Sequence, residues 1–478
     1  MMSLIFMYSW RYPEVLVYML QSTEYKVPAY IKWLHRTKNF SKVMYRRQLD
    51  KTKAARMLVA AIRFGMILQV LIGALTLVFG YRSDNFLIFG LGVFLVFSYP
   101  TIWAYLVTLP LQFGRWFIMN PKYRREVKAS ESVFANHPGV KIAVAGSYGK
   151  TSMKELLKTV LSEGKKVAAT PANKNVAISH ARFAQKLKGD EEILVIEYGE
   201  GAPGDVVRFS GVTHPDIGII TGLAPAHLDQ YPSLASAGKD IFALSKYVGA
   251  DNTYVNNESE AVKDFLKPDM HTYDHKLVLG WKISDIKLDF TGIKFVMKKG
   301  TETLHLHSGL LGRHQVGPLA VVAALAHKLG LTKSQIEKGI SKTTAFEHRM
   351  QPRNLRGAWI LDDTYNGNID GMKAGLKLLS ELPAKRKIYV TPGLVDQGEE
   401  TKHVHVELGV AIAKANPDKV VLMFNSATRN IEKGLEKEGY KGQLQVEHYP
   451  LDYYVNLEHF VAAGDVIMLQ NDWTDNYS

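Results

Sequence analysis

Residues 146–152, Gly-Ser-Tyr-Gly-Lys-Thr-Ser, combine glycines, a lysine and hydroxyls at a spacing suited to nucleotide phosphates. Gly146, Ser147 and Gly149 would let backbone N–H groups approach phosphate oxygens. Lys150 can reach the β and γ phosphates, and the hydroxyl of Thr151, followed by Ser152, can ligate Mg²⁺. The longer pattern G-x-x-x-x-G-K-[ST] is incomplete, because Val144 stands where its first glycine belongs. The alternative is a glycine-rich strand–helix turn with a surface lysine. Glu197 closes the apolar run Ile193-Leu-Val-Ile. A carboxylate at the C-terminal end of a parallel strand faces the ligand crevice, so Glu197 is a candidate Mg²⁺ ligand. His227, in the loop after residues 216–221, is a candidate ligand of a second metal ion or a structural hydrogen-bonder. There are no cysteines, which excludes disulfides, thiolate metal sites and a thiol nucleophile.

These residues need elements to hold them. The run at 140–145 suits a buried parallel strand, and Met153, Leu156, Leu157 and Val160 give helical spacing over 150–161. Further strands are expected at 193–197 and 216–221. Residues 272–307 alternate apolar and polar, which predicts antiparallel strands inserted in the central domain. From 346 onward strands are expected at 358–362, 387–391, 419–424 and 466–470, with helices at 370–381, 402–415 and 427–438. That reads as a small Rossmann-like, doubly wound α/β domain.

The front of the chain differs. Residues 64–81 and 86–111 are long, mostly apolar and uncharged, enough to cross a bilayer as helices. Only Arg82, Ser83, Asp84 and Asn85 separate them, which forces an antiparallel hairpin. The net charge is +13, and Lys/Arg cluster on both flanks of the hairpin. Such flanks mark the cytoplasmic side of a membrane and account for the charge without nucleic acid. Pro100 is expected to kink the second helix. The alternative is a buried helical hairpin of a soluble domain. Residues 1–55, aromatic and basic, suit either amphipathic helices on membrane lipid or a helical collar packed on the hairpin. The expected organisation is therefore 1–55, a hairpin with its linker at 56–130, a central nucleotide-binding domain at 131–345 and a C-terminal domain at 346–478.

Several segments together resemble the Mur ligases, ATP-dependent enzymes that form amide bonds in peptidoglycan precursors. They are GSYGKTS at 146–152, TPANKNVAIS at 170–179, VIEYGEGAPGDV at 195–206 and AHLDQYPSL at 226–234. LLGRHQVGPLAVVAALA at 310–326, HRM at 348–350, LDDTYNGNIDGM at 361–372 and TPGLVDQGEE at 392–400 continue the series. The resemblance implies an α/β fold whose central P-loop domain binds ATP and Mg²⁺ through Lys150, Thr151, Glu197 and His227. It places Asn173 and Asn175 near the reacting groups and Arg349 on phosphate. Asp363 would meet the ribose, with Tyr365 and Asn366 beside the nucleotide. Lys239 falls near the position of a carbamylated, metal-assisting lysine in the family, with Lys246 as the alternative. The implied reaction converts a carboxylate to an acyl phosphate, which an amine then attacks. The implied substrates are a muramyl peptide, UDP- or lipid-linked, and D-alanyl-D-alanine, used at the cytoplasmic membrane. A related ligase with another peptide acceptor and a degenerate membrane scaffold are the other readings.

Three departures accompany the resemblance. Gln315 and Pro318 replace an Asn-x-x-Asn pattern that helps hold ATP. A hairpin stands in place of the usual UDP-gripping domain. The chain ends in a polar tail beginning Asn471-Asp472.

Overall fold

The computed structural model describes residues 2–23, 25–37, 40–43, 49–171, 174–224, 231, 233–365, 367–394 and 401–471. The chain divides into two compact units, Met1–Arg124 and Arg125–Tyr477.

In the first unit the helices Lys53–Arg82 and Phe86–Leu106 form the hairpin. The first begins well before the apolar run, because the Thr52 hydroxyl accepts from Ala55 N and caps it. The second ends before residue 111, and a separate helix, Thr108–Gly114, follows. Pro100 lies inside the second helix and is buried. The Asn85 side chain caps that helix by accepting from Leu87 N and Ile88 N. Glycines set the distance between the two helices: a Cβ on Gly80 would lie 2.4 Å from Phe89 N, and one on Gly92 2.6 Å from Leu77 N. Gln69 joins the helices through neutral polar bonds, donating to Leu95 O at 3.1 Å and accepting from Trp103 Nε1 at 3.0 Å. Outward-facing side chains stay uncovered: Phe79 is 62% exposed, Phe86 84% and Leu87 82%. Both helices are long and apolar enough to cross a membrane. The helices Met2–Met7, Tyr12–Ser22 and Val27–Arg36 pack against one end of the hairpin. There Tyr30 Oη donates to Ala104 O at 2.9 Å and Arg63 pairs with Glu14 at 2.7 Å.

The second unit is built on two sheets. The first contains β1 (Val140–Ala145), β2 (Val167–Ala169), β3 (Ile193–Glu197), β4 (Ile217–Ile220), β5 (Thr253–Asn256) and β6 (His271–Tyr273). It continues with β7 (Leu277–Val278), β8 (Trp281–Asp289), β9 (Gly292–Lys299) and β10 (Glu302–Ser308). The order is β10-β9-β8-β7-β6-β5-β4-β1-β3-β2. Strands β2 to β6 run parallel with β1, and β7 to β10 extend the same sheet as antiparallel strands. The alternating residues therefore form an edge extension. Side-chain alternation divides the core: Ile142, Val144, Ile193 and Val195 face one layer, and Ala143, Ala145, Leu194 and Ile196 the other. Each fully buried large aliphatic contributes about 1.5–3 kcal/mol.

The second sheet holds β11 (Gln351–Leu355), β12 (Ala358–Asp363), β13 (Arg386–Thr391), β14 (Lys419–Met423), β15 (Gln443–Glu447) and β16 (Asp465–Gln470), in the order β11-β12-β16-β13-β14-β15. All pairings are parallel except β11 with β12. Helices Ile369–Glu381, Thr401–Ala415 and Thr428–Lys437 match the sequence expectation closely. Strands β11 and β15 were not expected. Both are edge strands, partly exposed and poor in large apolar residues, so no apolar run marks them.

Candidate active site

Strand β1 lies where the chain connections reverse, between β3 and β4, and its carboxyl end opens a crevice. The loop after it is short. Val144 is a fully buried residue of β1, opposite Glu197 in register, so it belongs to the strand and not to the loop. The turn is made by Gly146 and Gly149, whose φ angles of 139° and 72° favour glycine. A Cβ on Gly146 would meet Thr221 Oγ1 at 2.3 Å. Ser147 N donates to Gly222 O at 2.9 Å, and Thr221 Oγ1 donates to Tyr148 O. The helix Lys150–Leu161 begins at once, so Lys150, Thr151 and Ser152 form its first turn. N–H groups there lack intrahelical partners and favour an anion.

Charged side chains fill this end of the sheet in pairs. Lys150 Nζ donates to Gly146 O at 2.5 Å and lies 3.1 Å from Glu200 Oε1, with both side chains largely buried. One turn on, Lys154 Nζ is 3.1 Å from Glu197 Oε2, off the hydrogen-bonding axis, and neither residue reaches solvent appreciably. The other Glu197 oxygen, Oε1, accepts from Thr151 Oγ1 at 2.9 Å and Asn175 Nδ2 at 3.2 Å. Burial lowers the pKa of neighbouring His180 to about 4, so this imidazole is neutral and bonds Glu197 O at 2.8 Å.

A second group sits on the C-terminal sheet. The Arg349 guanidinium lies 4.2 Å over the Tyr365 ring. Asp363, ending β12, accepts from Met350 N at 3.1 Å and Gln470 Nε2 at 2.8 Å. Burial raises its pKa to about 6. Asn471, first residue of the polar tail, is buried; its amide donates to Gly393 O at 2.6 Å and accepts from Gly367 N at 2.5 Å. It ties the loops after β12 and β13 to the end of β16. A cavity of about 420 Å³, lined by Asn257, Asp274, His275, Arg313, His314 and Lys377 among others, opens between the two sheets' domains. Gln315 Nε2 lies 3.0 Å from His314 Nε2 at its edge. Pro318 is the third residue of the helix Val316–Lys328, where a missing N–H costs nothing.

The expected residues thus fall into two described groups, one from 146 to 197 and one of Arg349, Asp363 and Tyr365. Lys239 stands exposed on the helix Leu234–Ile241, and Lys246 is exposed as well. His227, Asn173 and Asn366 lie outside the described residues. Sequence reasoning missed Lys154 and Glu200. Their signal was spacing: Lys154 is four residues after Lys150 on a helix, and Glu200 three after Glu197.

Residues 144–326 match the Mur ligase middle domain and residues 348–470 the Mur ligase glutamate ligase domain, together more than half the chain. The fold and these matches define the chain as a member of the Mur ligase family. Within it the resemblance is to MurF. The UDP-N-acetylmuramoyl-tripeptide--D-alanyl-D-alanine ligase of Escherichia coli is 26% identical over 307 residues, 59% of this chain and 64% of that enzyme. The chain thus spans slightly less than two thirds of that relative's length. MurF from Acinetobacter baumannii has a TM-score of 0.64 at 18% identity, covering 73% of this chain and 77% of that one. The MurF ligase of Thermotoga maritima in complex with ADP has a TM-score of 0.63 at 21% identity, covering 73% and 80%. At such identities the structural likeness establishes the fold.

Proposed function

We propose that the chain is an ATP- and Mg²⁺-dependent ligase of the MurF type, joining D-alanyl-D-alanine to a muramyl tripeptide. The observation that carries this reading is the loop–helix at the end of β1, with Lys150, Thr151 and Glu197 brought to one point. The MurF relatives supply the substrate class.

The site suits a small divalent cation. Thr151 Oγ1 and Glu197 Oε1 are hard oxygen donors 2.9 Å apart, the chemistry Mg²⁺ takes when it shares its shell with phosphate and water. A bound Mg²⁺ would neutralise charge on the phosphates. The N–H groups of the loop and the Lys150 ammonium would hold the phosphates, orienting the γ-phosphoryl for attack by the acceptor carboxylate. Asn175, anchored on Glu197, would border the reacting groups. Arg349 would add positive charge as the C-terminal domain closes, and Asp363 with Tyr365 would meet the ribose side. The cavity beside His314 has room for the base, which supports adenine there despite Pro318. His227, Asn366 and a carbamylated Lys239 would complete the site as the family resemblance implies.

The hairpin supports a membrane anchor with both ends in the cytoplasm. Its outward face is uncovered apolar surface, whereas the core helix of a soluble domain would bury it. Basic flanks on both ends favour that orientation. An acceptor carried on lipid fits this placement, with a UDP-linked acceptor as the alternative. The test is phosphate release by the detergent-solubilised chain with ATP and Mg²⁺. The UDP-linked or lipid-linked muramyl tripeptide is supplied, with and without D-alanyl-D-alanine. Release that requires both substrates is expected, and release with neither carrier would remove this substrate assignment.

A further inference from the structure

Lys154 is a wholly buried ammonium on the first turns of the helix that follows the loop. Its place is unusual for a lysine, which seldom gives up water without a partner. Two carboxylates compensate it: Glu197 Oε2 at 3.1 Å and Glu155 Oε1 at 3.3 Å. Glu155 is partly exposed; Glu197 is not. The pair divides the two oxygens of Glu197. Oε2 is taken by Lys154, and Oε1 alone faces Thr151 and Asn175. Glu197 N is fixed as well, by Thr170 Oγ1 at 3.0 Å, and Glu197 O by His180. With Oε1 held by two hydrogen bonds and Oε2 ion-paired to a buried ammonium, the carboxylate has little freedom to rotate and present both oxygens to one side.

That division has a consequence for cation choice. Mg²⁺ demands near-octahedral geometry and takes a carboxylate through one oxygen, while Ca²⁺ accepts six to eight ligands and readily takes both oxygens. We propose that Lys154 is a positioning residue that confines Glu197 to one-oxygen ligation and so makes the site prefer Mg²⁺ over Ca²⁺. The proposal rests on the reading of Glu197 as a metal ligand. Lys154 would act through Glu197 and not by ligation, since an ammonium cannot donate an electron pair to a cation.

The test compares affinity for a non-hydrolysable ATP analogue in saturating Mg²⁺ and in saturating Ca²⁺, so that the nucleotide is metal-loaded in both. It uses the full chain in detergent, unsubstituted and with Lys154→Met, Glu197→Gln or both. The unsubstituted chain should bind the Mg²⁺ form more tightly, and Lys154→Met should shrink that ratio about fivefold by freeing Oε2. In the Glu197→Gln background the Lys154 substitution should leave the ratio unchanged. A Lys154→Met chain that is merely less stable, with the same Mg²⁺/Ca²⁺ ratio as the parent, overturns the proposal while leaving the metal reading intact. If Glu197→Gln binds both metal forms as the parent does, Glu197 is no ligand and both ideas fall. Should Lys154→Met not fold, Lys154→Gln carries the same comparison, since its neutral amide is shorter and leaves Oε2 open.

Discussion

In the hairpin, glycines lie where the two helices come within contact of each other's backbone, and the polar contacts of Gln69 between them are neutral, to Trp103 Nε1 and a backbone carbonyl. In the 125–477 unit, the buried positions at the strand ends carry charges: Lys150 with Glu200, Lys154 with Glu197, and Asp363. The hairpin also leaves its large apolar side chains outside, whereas β1 and β3 bury theirs on both faces. Each unit is thus consistent with a different surrounding. Backbone contact and neutral bonds are what remain to join helices when apolar surface gains nothing by burial. Buried charge is costly, and in a unit with an ample core it is tolerated where a charged ligand would be handled.

The sharpest way to break this contrast is to disable one unit and read the other. Lys150→Ala removes the ammonium that would neutralise phosphate charge. ATP-dependent phosphate release should fall at least about 1,000-fold, on the scale of other charge-stabilising groups. Membrane partitioning should not change. Residual release above about a tenth of the parent rate would show that Lys150 is not at the reacting phosphates. The converse substitution is Gly80→Val, whose Cβ would lie 2.4 Å from Phe89 N against immobile backbone. Overpacking of this kind costs about 3 kcal/mol. The thermal stability of the detergent-solubilised hairpin should drop, while stabilisation by the ATP analogue persists. Loss of both would mean the units are not independent in this sense.

How far the sequence disclosed these units follows from what each signal depends on. Strand β1, β3 and the helix Lys150–Leu161 were legible to the residue, because continuous apolar runs and helical spacing record burial directly. The hairpin was legible from its apolar length, but the glycines that join its helices were not. A glycine in an apolar helix carries no mark of the backbone it will touch. Of the candidate site, the turn at Gly146 and Gly149, the helix start at Lys150 and Thr151 and the strand-end place of Glu197 were legible from their order along the chain. Lys154 and Glu200 were passed over because a lysine on a helix and a glutamate in a loop ordinarily face water. Only the register of β1 with β3 brings Glu197 to that helix. Asn471 was equally silent: a polar residue past the last strand reads as tail until its amide is seen bridging two other loops.

Asp363 sharpens the contrast through pH. Burial raises its pKa from 3.8 to about 6 in the folded chain. Between those values the folded state keeps a proton that the unfolded state has released. Stability from this group is therefore greatest at low pH and falls as pH rises through the window from about 4 to 6. The full shift corresponds to about 3 kcal/mol, and because the side chain keeps some contact with solvent about 1–2 kcal/mol is the expected loss. Asp363→Asn should remove this slope, so that the variant gains on the parent in thermal unfolding as pH goes from 4 to 7. Parallel profiles across that range would show the carboxylate to be as well solvated as an ordinary one. The hairpin offers no comparable buried carboxylate among its described residues.

The smallest expected effect tests whether buried charge in the 125–477 unit is held in reserve for a ligand. Lys150 is occupied by Glu200 and by its own loop carbonyl, so a phosphate must displace Glu200 to reach the ammonium. Glu200→Gln keeps the shape and removes the competing charge. It also removes repulsion between the carboxylate and an entering polyanion. Affinity for the ATP analogue should rise about threefold, a difference below 1 kcal/mol because the parent also loses little by exchanging one anion for another. The expected sign is the informative part, since most substitutions beside a binding lysine weaken it. Isothermal titration of the full chain reads it directly, and it should shrink at high salt, where the entering phosphates are screened. Weaker binding in Glu200→Gln would reverse the interpretation: Glu200 would then be what aims Lys150 at the phosphate, and the pair would remain intact when the nucleotide is bound.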